Sequence, residues 1–329
     1  MGALWLLNFV LLAIPIGTTL GVLLGLQASR ESPLFEGDPG FGSGNGPGRG
    51  PLRDNSVTKQ DPLCNQNVGV SPLSQGDHYT LNPNPWGWTV GDPGNICLNY
   101  TTFNNETYAT RHTAPEWSVT WNYRYDDQAV HAFPNALLAV PSLPARISDI
   151  RGIGVDLEWS YAVGNVTGDP GTSFSASEIE EHTISTNVAL DIFLDSERDR
   201  SSNTTRASTE IMVWFARFGQ YTLAVGEESL GVGSVANKTL DDVVFSLYNG
   251  ENQYGQRVLT WVAEEPKERF NGDIFVLVDE LLSMDRAGFP SSTDYIGYIS
   301  VGTEAYATTD SALTFHASNL AIDLQLADS

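Results

Sequence analysis

The sequence predicts an all-β fold, an antiparallel sandwich or barrel. From about residue 61 onward, short runs of alternating apolar and polar residues are separated by Gly, Pro, Asn and Asp, as in strands joined by turns. The clearest run is 155–161 (VDLEWSY), in which the odd-numbered residues are apolar and the even-numbered residues are polar. With 10% aromatic residues the chain can also bury a full core, so it is not a disordered acidic protein.

An uncharged apolar segment precedes this pattern, within residues 1–28. It is long for a cleaved signal peptide, has no basic residues before it and ends without a clear cleavage site, while about 20 apolar residues can span a bilayer. Pro15 and Gly17 interrupt it, however, as the end of a signal peptide often does. A signal peptide and an N-terminal membrane anchor both stay open, and both direct the rest of the chain out of the cytosol.

Residues 29–60 are rich in Gly, Pro, Ser and charge, with almost nothing to bury. Such a composition predicts a flexible linker. We therefore expect the folded domain to occupy residues 61–329.

The net charge of −23, from 40 acidic and 17 basic residues, argues against nucleic acid as a partner. Binding a phosphate backbone requires a basic surface, so an uncharged ligand fits this chain better. The five histidines are scattered, and the two cysteines are too far apart in sequence for a zinc site of the Cys-x-x-Cys type.

Export would permit two modifications. Five Asn-x-Ser/Thr sequons predict glycosylated surface loops, and the acceptors are Asn99, Asn105, Asn165, Asn203 and Asn237. Cys64 and Cys97 can form a disulfide, which would close a loop of about 33 residues and contribute roughly 3–4 kcal/mol. The alternative is a pair of free, buried thiols.

Three further runs place a carboxylate beside aromatic or amide side chains, on the strand face opposite the apolar one. The members of this second face are Asn187, Asp191 and Phe193; Glu210, Met212 and Trp214; and Tyr298, Ser300, Glu304 and Tyr306. We assign Trp121, from the run 117–123 (WSVTWNY), to the same face. Large rings on a polar face indicate a binding surface. If the strands line one concave sheet, the face is a sugar-binding cleft.

These residues resemble glycoside hydrolase family 12, the retaining β-1,4-glucanases and xyloglucanases that fold as a β-jelly-roll. The resemblance covers nearly all of residues 64–325. Its weaker motifs are 79–80 (YT), 84–87 (NPWG) and 130–136 (VHAFPNA), and its stronger ones, in order, are 187–193 (NVALDIF), 210–214 (EIMVW) and 302–304 (GTE).

The resemblance implies roles for single residues. Glu210 is the nucleophile, Glu304 the acid/base, and Asp191 the neighbour that supports the nucleophile. The early disulfide of the family maps onto Cys64 and Cys97. With the rings and amides noted above, the expected substrate-binding set is Asn84, Trp86, Trp121, Asn187, Met212, Trp214 and Tyr306.

The chain departs from the family pattern at several positions. After Glu304 the usual Pro-Phe and a nearby Gly are replaced by 305–309 (AYATT), although Tyr306 still offers a ring. The Tyr commonly found before the nucleophile is missing from 204–206 (TTR), Leu190 replaces a frequent Tyr, and the acidic loop 195–200 lies outside the usual outline. These departures concern subsites and substrate choice rather than the two glutamates.

The function implied is endo-hydrolysis of β-1,4-glucosidic bonds in cellulose, β-glucan or xyloglucan, by a monomer that is either secreted or membrane-anchored. No metal or organic cofactor is implied, because nucleophile and acid/base are both side chains. The alternatives are a non-catalytic carbohydrate-binding protein and a transglycosylase on the same fold.

Overall fold

The computed structural model describes residues 56–59, 61–124, 130–165, 179, 181–182, 184–227, 233–309 and 311–327. The helical elements bounded within these ranges are α1 (Arg198–Ser201), α2 (Phe275–Ser283) and a 3₁₀ turn (Ile147–Asp149). The strands are β1 (Val57–Lys59), β2 (Leu63–Cys64), β3 (His78–Asn82), β4 (Asn95–Phe103), β5 (Glu116–Asn122), β6 (Asn135–Ala139), β7 (Ala145–Arg146), β8 (Ile150–Val163), β9 (Ser185–Asp195), β10 (Thr209–Phe218), β11 (Ala236–Leu240), β12 (Val243–Glu251), β13 (Arg257–Ala263), β14 (Arg269–Asp273), β15 (Tyr295–Ala307) and β16 (Leu313–Leu326).

The strands form two sheets, which confirms the predicted all-β sandwich. In the first sheet the order is β1-β4-β5-β16-β8-β14, with β2 also pairing to β4. In the second the order is β11-β12-β13-β10-β9-β15-β6-β3, with β7 pairing to β15. The second sheet is mixed rather than wholly antiparallel, because β10 and β13 run parallel. The chain leaves β10, forms β11 at the sheet edge and returns through β12, so that β13 reaches β10 in the same direction.

The main core lies between the two sheets and is built from the alternating apolar faces of the strands. In β8 the predicted inward residues Val155, Leu157, Trp159 and Tyr161 are each at most 2% exposed, so the period-two prediction is confirmed. The rings of Trp159 and Tyr161 pack edge to face, with their centres 5.4 Å apart. Burying each such large side chain contributes about 1.5–3 kcal/mol. This apolar layer therefore determines which face of β8 packs against the other sheet.

The predicted N-terminal segments lie mostly outside the described residues, which include nothing of 1–28. Of the predicted linker, 56–59 is described, and Val57–Lys59 pairs with 101–103 of β4. Strand pairing therefore begins before residue 61. Within the described ranges, no helix is both long and apolar enough to cross a membrane.

The two cysteines form a disulfide, so the alternative of free thiols is wrong. Cys64 of β2 lies directly opposite Cys97 of β4, where the two strands pair. The bond thus fastens the short N-terminal strand to the first sheet.

The five sequon asparagines are all at least partly exposed. Asn99 lies in β4 and Asn237 in β11, so these two sit on strands rather than in the loops that were expected. Their glycosylation stays a prediction.

Replacing Cys64 and Cys97 together by Ser should lower the free energy of unfolding by about 2–4 kcal/mol, because the unfolded chain is no longer closed across 33 residues. Urea unfolding of both proteins measures the difference. Reductant should lower the wild-type midpoint to that of the variant and leave the variant unchanged. Equal midpoints in non-reducing buffer would contradict this account.

Candidate active site

Three adjacent strands of the second sheet carry the three predicted carboxylates, because β9 lies between β10 and β15. Glu210 of β10 stands opposite Phe193 of β9, and Glu304 of β15 stands opposite Asn187 of β9. Asp191 lies between those two positions on β9. Since alternate residues of a strand share a face, the three carboxyls project from the same side of the sheet.

The opposite side of these strands belongs to the main core. Its members from β9 and β10 include Val188, Leu190, Ile192, Ile211, Val213 and Phe215, each at most 1% exposed. The division of faces predicted from the sequence is therefore confirmed. The carboxyl-bearing side is called the cleft face from here on.

Glu304 is held by two hydrogen-bond donors. The Nδ2 amide of Asn187 and the hydroxyl of Tyr306 both donate to its Oε2, the latter over 3.1 Å. Asn187 also accepts the backbone N–H of Glu304 through its Oδ1 at 2.9 Å. Burial raises the pKa of Glu304 to about 7, although the two donors oppose the rise by favouring the carboxylate.

Glu210 is held from a turn. Burial, and then the charge of Glu304, raise the pKa of Glu210 to about 8, and a hydrogen bond with Asn252 opposes this rise. Asn252 begins the β12–β13 turn, where its Oδ1 accepts the backbone N–H groups of Tyr254 and Gln256. Sequence reasoning missed Asn252, because one polar residue in a Gly- and Asn-containing turn has no pattern that distinguishes it from an ordinary turn residue.

Asp191 lies deepest of the three and is only 4% exposed. Burial raises its pKa well above the ordinary value, and the charges of Glu210 and Glu304 raise it further. Among the described residues its Oδ1 has no hydrogen-bond partner. The three groups thus titrate together, since ionising one raises the pKa of the others.

A small apolar cluster covers part of the cleft face beside the carboxyls. Met212 and Trp214 belong to it with Phe133, Ala189, Ala224, Val258 and Val262. Met212 is 5% and Trp214 2% exposed, so neither presents an open surface for stacking as the sequence had suggested. They are packed within this cluster instead.

Trp86 is the predicted substrate-binding ring that the structure leaves open, with 41% of its surface exposed. It follows Asn84, whose backbone carbonyl accepts the N–H of Phe133 from the small apolar cluster. The backbone N–H of Gly87 donates to the carbonyl of His131. These bonds fasten the turn 84–87 beside the segment that leads into β6.

Two other predicted substrate contacts are corrected. Trp121 is wholly buried in the main core and lies on β5 of the other sheet, where it meets the ring of Tyr161 at 6.1 Å. In the run 117–123 the rings alternate with Ser, Thr and Asn, and the ring side is the core side. Asn187 is on the cleft face as predicted, but it is wholly buried and both ends of its amide contact Glu304. The described contacts of its amide are thus with Glu304.

Among the described residues, no group of three or more His, Cys, Asp or Glu side chains is arranged to hold a metal ion. The site offers the chemistry of carboxyl groups that have different hydrogen-bond partners. One of them can hold a proton while another is ionised.

Comparison with known proteins finds a family model, curated proteins and solved structures that this chain resembles. A model of the family described as glycosyl hydrolase family 12 matches residues 170–325. A curated protein of Emericella nidulans, described as xyloglucan-specific endo-beta-1,4-glucanase A, is 25% identical over 259 residues, covering 79% of this chain and 90% of that protein.

Solved structures share the fold. The crystal structure of Trichoderma harzianum endoglucanase 3 has a TM-score of 0.57 at 19% identity, covering 83% of this chain and 99% of that one. A family 12 xyloglucanase from Bacillus licheniformis has a TM-score of 0.56 at 16% identity, covering 81% and 100%.

The raised carboxyl pKa values predict a stability that falls with pH. Between the ordinary glutamate pKa of about 4.5 and the value of about 8 for Glu210, the folded state binds more protons than the unfolded state. The free energy of unfolding therefore decreases as pH rises through this window. Glu210→Gln removes that loss and should raise the melting temperature at pH 8 by at least about 3 °C, since 1 kcal/mol corresponds to about 2–4 °C in domains of 150–250 residues.

Differential scanning fluorimetry at pH 4 and pH 8 measures this difference. The two proteins should melt at similar temperatures at pH 4, where the native carboxyl is already neutral. Glu265→Gln, which changes an exposed glutamate, is the matched control and should show no gain at pH 8. A gain of equal size at both pH values would show that packing rather than charge is responsible.

Proposed function

Because the chain belongs to glycoside hydrolase family 12, we propose that it hydrolyses internal β-1,4-glucosidic bonds of plant-type glucans with retention of configuration. The observation that carries the proposal is the electrostatic interaction of Asp191, Glu210 and Glu304 on one cleft face. Retaining hydrolysis requires two carboxyl groups about 5–5.5 Å apart, one ionised and the other protonated.

Glu210 is the nucleophile in this proposal. It attacks the anomeric carbon as a carboxylate, and the glycosidic bond breaks as the glycosyl–enzyme ester forms. The hydrogen bond with Asn252 favours its ionised form, and the family resemblance assigns Asp191 as the neighbour that supports it. Burial and the charge of Glu304 hold the pKa of Glu210 at about 8, above the value of about 7 for Glu304, so the nucleophile role of Glu210 rests on the family resemblance rather than on these pKa values.

Glu304 is the acid/base. Its pKa of about 7 lets it hold a proton at mildly acidic and neutral pH, and it gives this proton to the departing oxygen. In the second step it takes a proton from water, which attacks the ester and frees Glu210. The burial that raises its pKa is thus what makes a strand carboxyl a useful acid.

The cleft floor and its rim supply binding. Trp86 has the exposed ring that can stack on a pyranose, and Asn84 beside it can fix hydroxyl groups. The Emericella nidulans protein is described as xyloglucan-specific, and a curated protein of Aspergillus terreus, 25% identical over 272 residues, is described as a probable enzyme of that type. We accordingly assign xyloglucan, a branched β-1,4-glucan, as the preferred polymer.

The substrate also bears on location. A polysaccharide is too large to enter a cell, so the catalytic domain has to act outside it. That requirement agrees with the uncharged segment in residues 1–28 and with the partly exposed sequons. Membrane tethering and a monomeric state stay predictions.

Glu210→Gln and Glu304→Gln should each lower kcat on xyloglucan by at least about three orders of magnitude, while binding of oligosaccharide persists. Reducing-sugar release measures kcat, and calorimetry with the purified variant measures binding. Near-wild-type hydrolysis by either variant would contradict the assignment.

The nucleophile and acid/base roles can be distinguished with a substrate whose leaving group needs no protonation. Glu304→Ala should keep most of its activity toward 2,4-dinitrophenyl β-cellobioside in forming the ester, because that leaving group departs without a proton. Glu210→Ala should be inactive in the same assay. The opposite result would exchange the roles.

Xyloglucan, mixed-linkage β-glucan and carboxymethylcellulose, tested at equal mass concentration, should give the highest kcat/KM with xyloglucan, by about tenfold or more. Product analysis at high oligosaccharide concentration also distinguishes hydrolysis from sugar transfer to an acceptor. A higher kcat/KM on carboxymethylcellulose would reject the branched polymer as the preferred substrate.

A further inference from the structure

Tyr306 lies two residues after Glu304 on β15, and the sequence had suggested its ring as a sugar contact. The ring is only 7% exposed, and its hydroxyl instead donates to Glu304 Oε2 over 3.1 Å. We propose that Tyr306 is a positioning residue, which with Asn187 occupies Oε2 of Glu304 and so places the catalytic proton on Oε1. This inference rests on the proposed function.

Asn187 fixes one of the two donors. Its Oδ1 accepts the backbone N–H of Glu304, so the amide cannot reverse without losing that bond, and Nδ2 has to face the carboxyl. Oε2 consequently accepts from both Asn187 and Tyr306. A proton on Oε2 would point toward these donor hydrogens and be repelled by them. Among the described residues no such donor is seen at Oε1. The acidic proton of Glu304 therefore resides on Oε1.

Hydrogen bonds to the backbone on either side of Tyr306 hold this residue in place. The Nδ1–H of His131 donates to the Tyr306 carbonyl over 2.6 Å, and the His131 ring stacks on Tyr123 with ring centres 4.8 Å apart. The backbone N–H of Thr308 donates to the Tyr123 carbonyl. The strand segment that carries the hydroxyl is thus fixed on both sides of Tyr306.

The Tyr306 hydroxyl stays a donor at every working pH. Burial first, and then the charge of Glu304, raise its pKa well above the ordinary tyrosine value. The other titratable groups whose charges interact with Glu304 are Asp191 of β9, Glu210 of β10 and Tyr161 of β8 in the opposite sheet. Both carboxylates would disfavour ionisation of Glu304, so Tyr306 and Asn187 are the groups that oppose this effect.

The predicted consequence is a stronger acid. A donor to the carboxylate lowers the pKa of Glu304, which makes proton transfer to a poor leaving group easier. A Phe, which the resemblance places at this position, would keep the ring but supply no such donor. The hydroxyl therefore adjusts acid strength without changing the packing.

Tyr306→Phe tests the inference with the ring retained. The alkaline limb of kcat/KM should move upward by about 0.5–1 pH unit. On glucan, kcat should fall by about 3–10-fold, while ester formation from 2,4-dinitrophenyl β-cellobioside should hardly change, because that step needs no acid. A fall of equal size on both substrates, or an unmoved pH profile, would overturn the inference.

Two controls complete the test. Tyr295→Phe removes a hydroxyl from the same strand, where it accepts a bond from Arg146, and should leave the pH profile unchanged. Tyr306→Ala removes the ring as well. If Tyr306 acts only as a sugar platform, Tyr306→Phe will match the wild type and Tyr306→Ala alone will raise KM, which would also overturn the inference.

A measurement independent of turnover separates this inference from the proposed function. Carbon-13 NMR titration of the Glu304 carboxyl should show a pKa about 0.5–1 unit higher in Tyr306→Phe than in the wild type. Equal values refute the positioning role whatever the substrate. A wild type without glucanase activity but with this pKa difference would refute only the proposed function.

Discussion

The position of β9 between β10 and β15 is the constraint on which the candidate site depends. Three carboxyls on separate chain segments meet because their strands are neighbours and because each projects to the cleft face. The main core secures this register. A slip of one residue along β9 would exchange Asp191 with Ile192, burying a carboxyl in the apolar layer and exposing an aliphatic side chain. The hydrophobic effect thus determines the position of the carboxyls indirectly, because it allows only one face of β9 to be buried in the core.

The same arrangement is electrostatically unfavourable. Burial raises the pKa of Asp191, Glu210 and Glu304, and the charges of neighbouring carboxylates raise it further for Asp191 and Glu210, so the folded state resists their simultaneous ionisation. A carboxyl in water would be ionised at neutral pH and could not act as an acid. The site therefore depends on a destabilising environment, which the large core between the sheets can tolerate.

The sequence predicted the site where strand periodicity carries the information. Alternation in the runs around Asp191, Glu210 and Glu304 correctly separated the core face from the cleft face, and the resemblance supplied the roles that are now proposed. The sequence interpretation was wrong for Trp121, which was assigned to the cleft face although the alternation within its run puts the rings on the core side.

Contacts that depend on turns and on the order of strands in the sheet could not be predicted from the sequence either. Asn252 reaches Glu210 because β13 pairs in parallel beside β10 and brings the β12–β13 turn next to this carboxyl. Glu304, in contrast, takes its donors from the sheet itself, from Asn187 on the neighbouring strand and Tyr306 on its own strand. A rearrangement of the turn would change the ionisation of Glu210 while leaving the partners of Glu304 in place. The groups that favour the ionised form of each glutamate therefore come from separate parts of the fold.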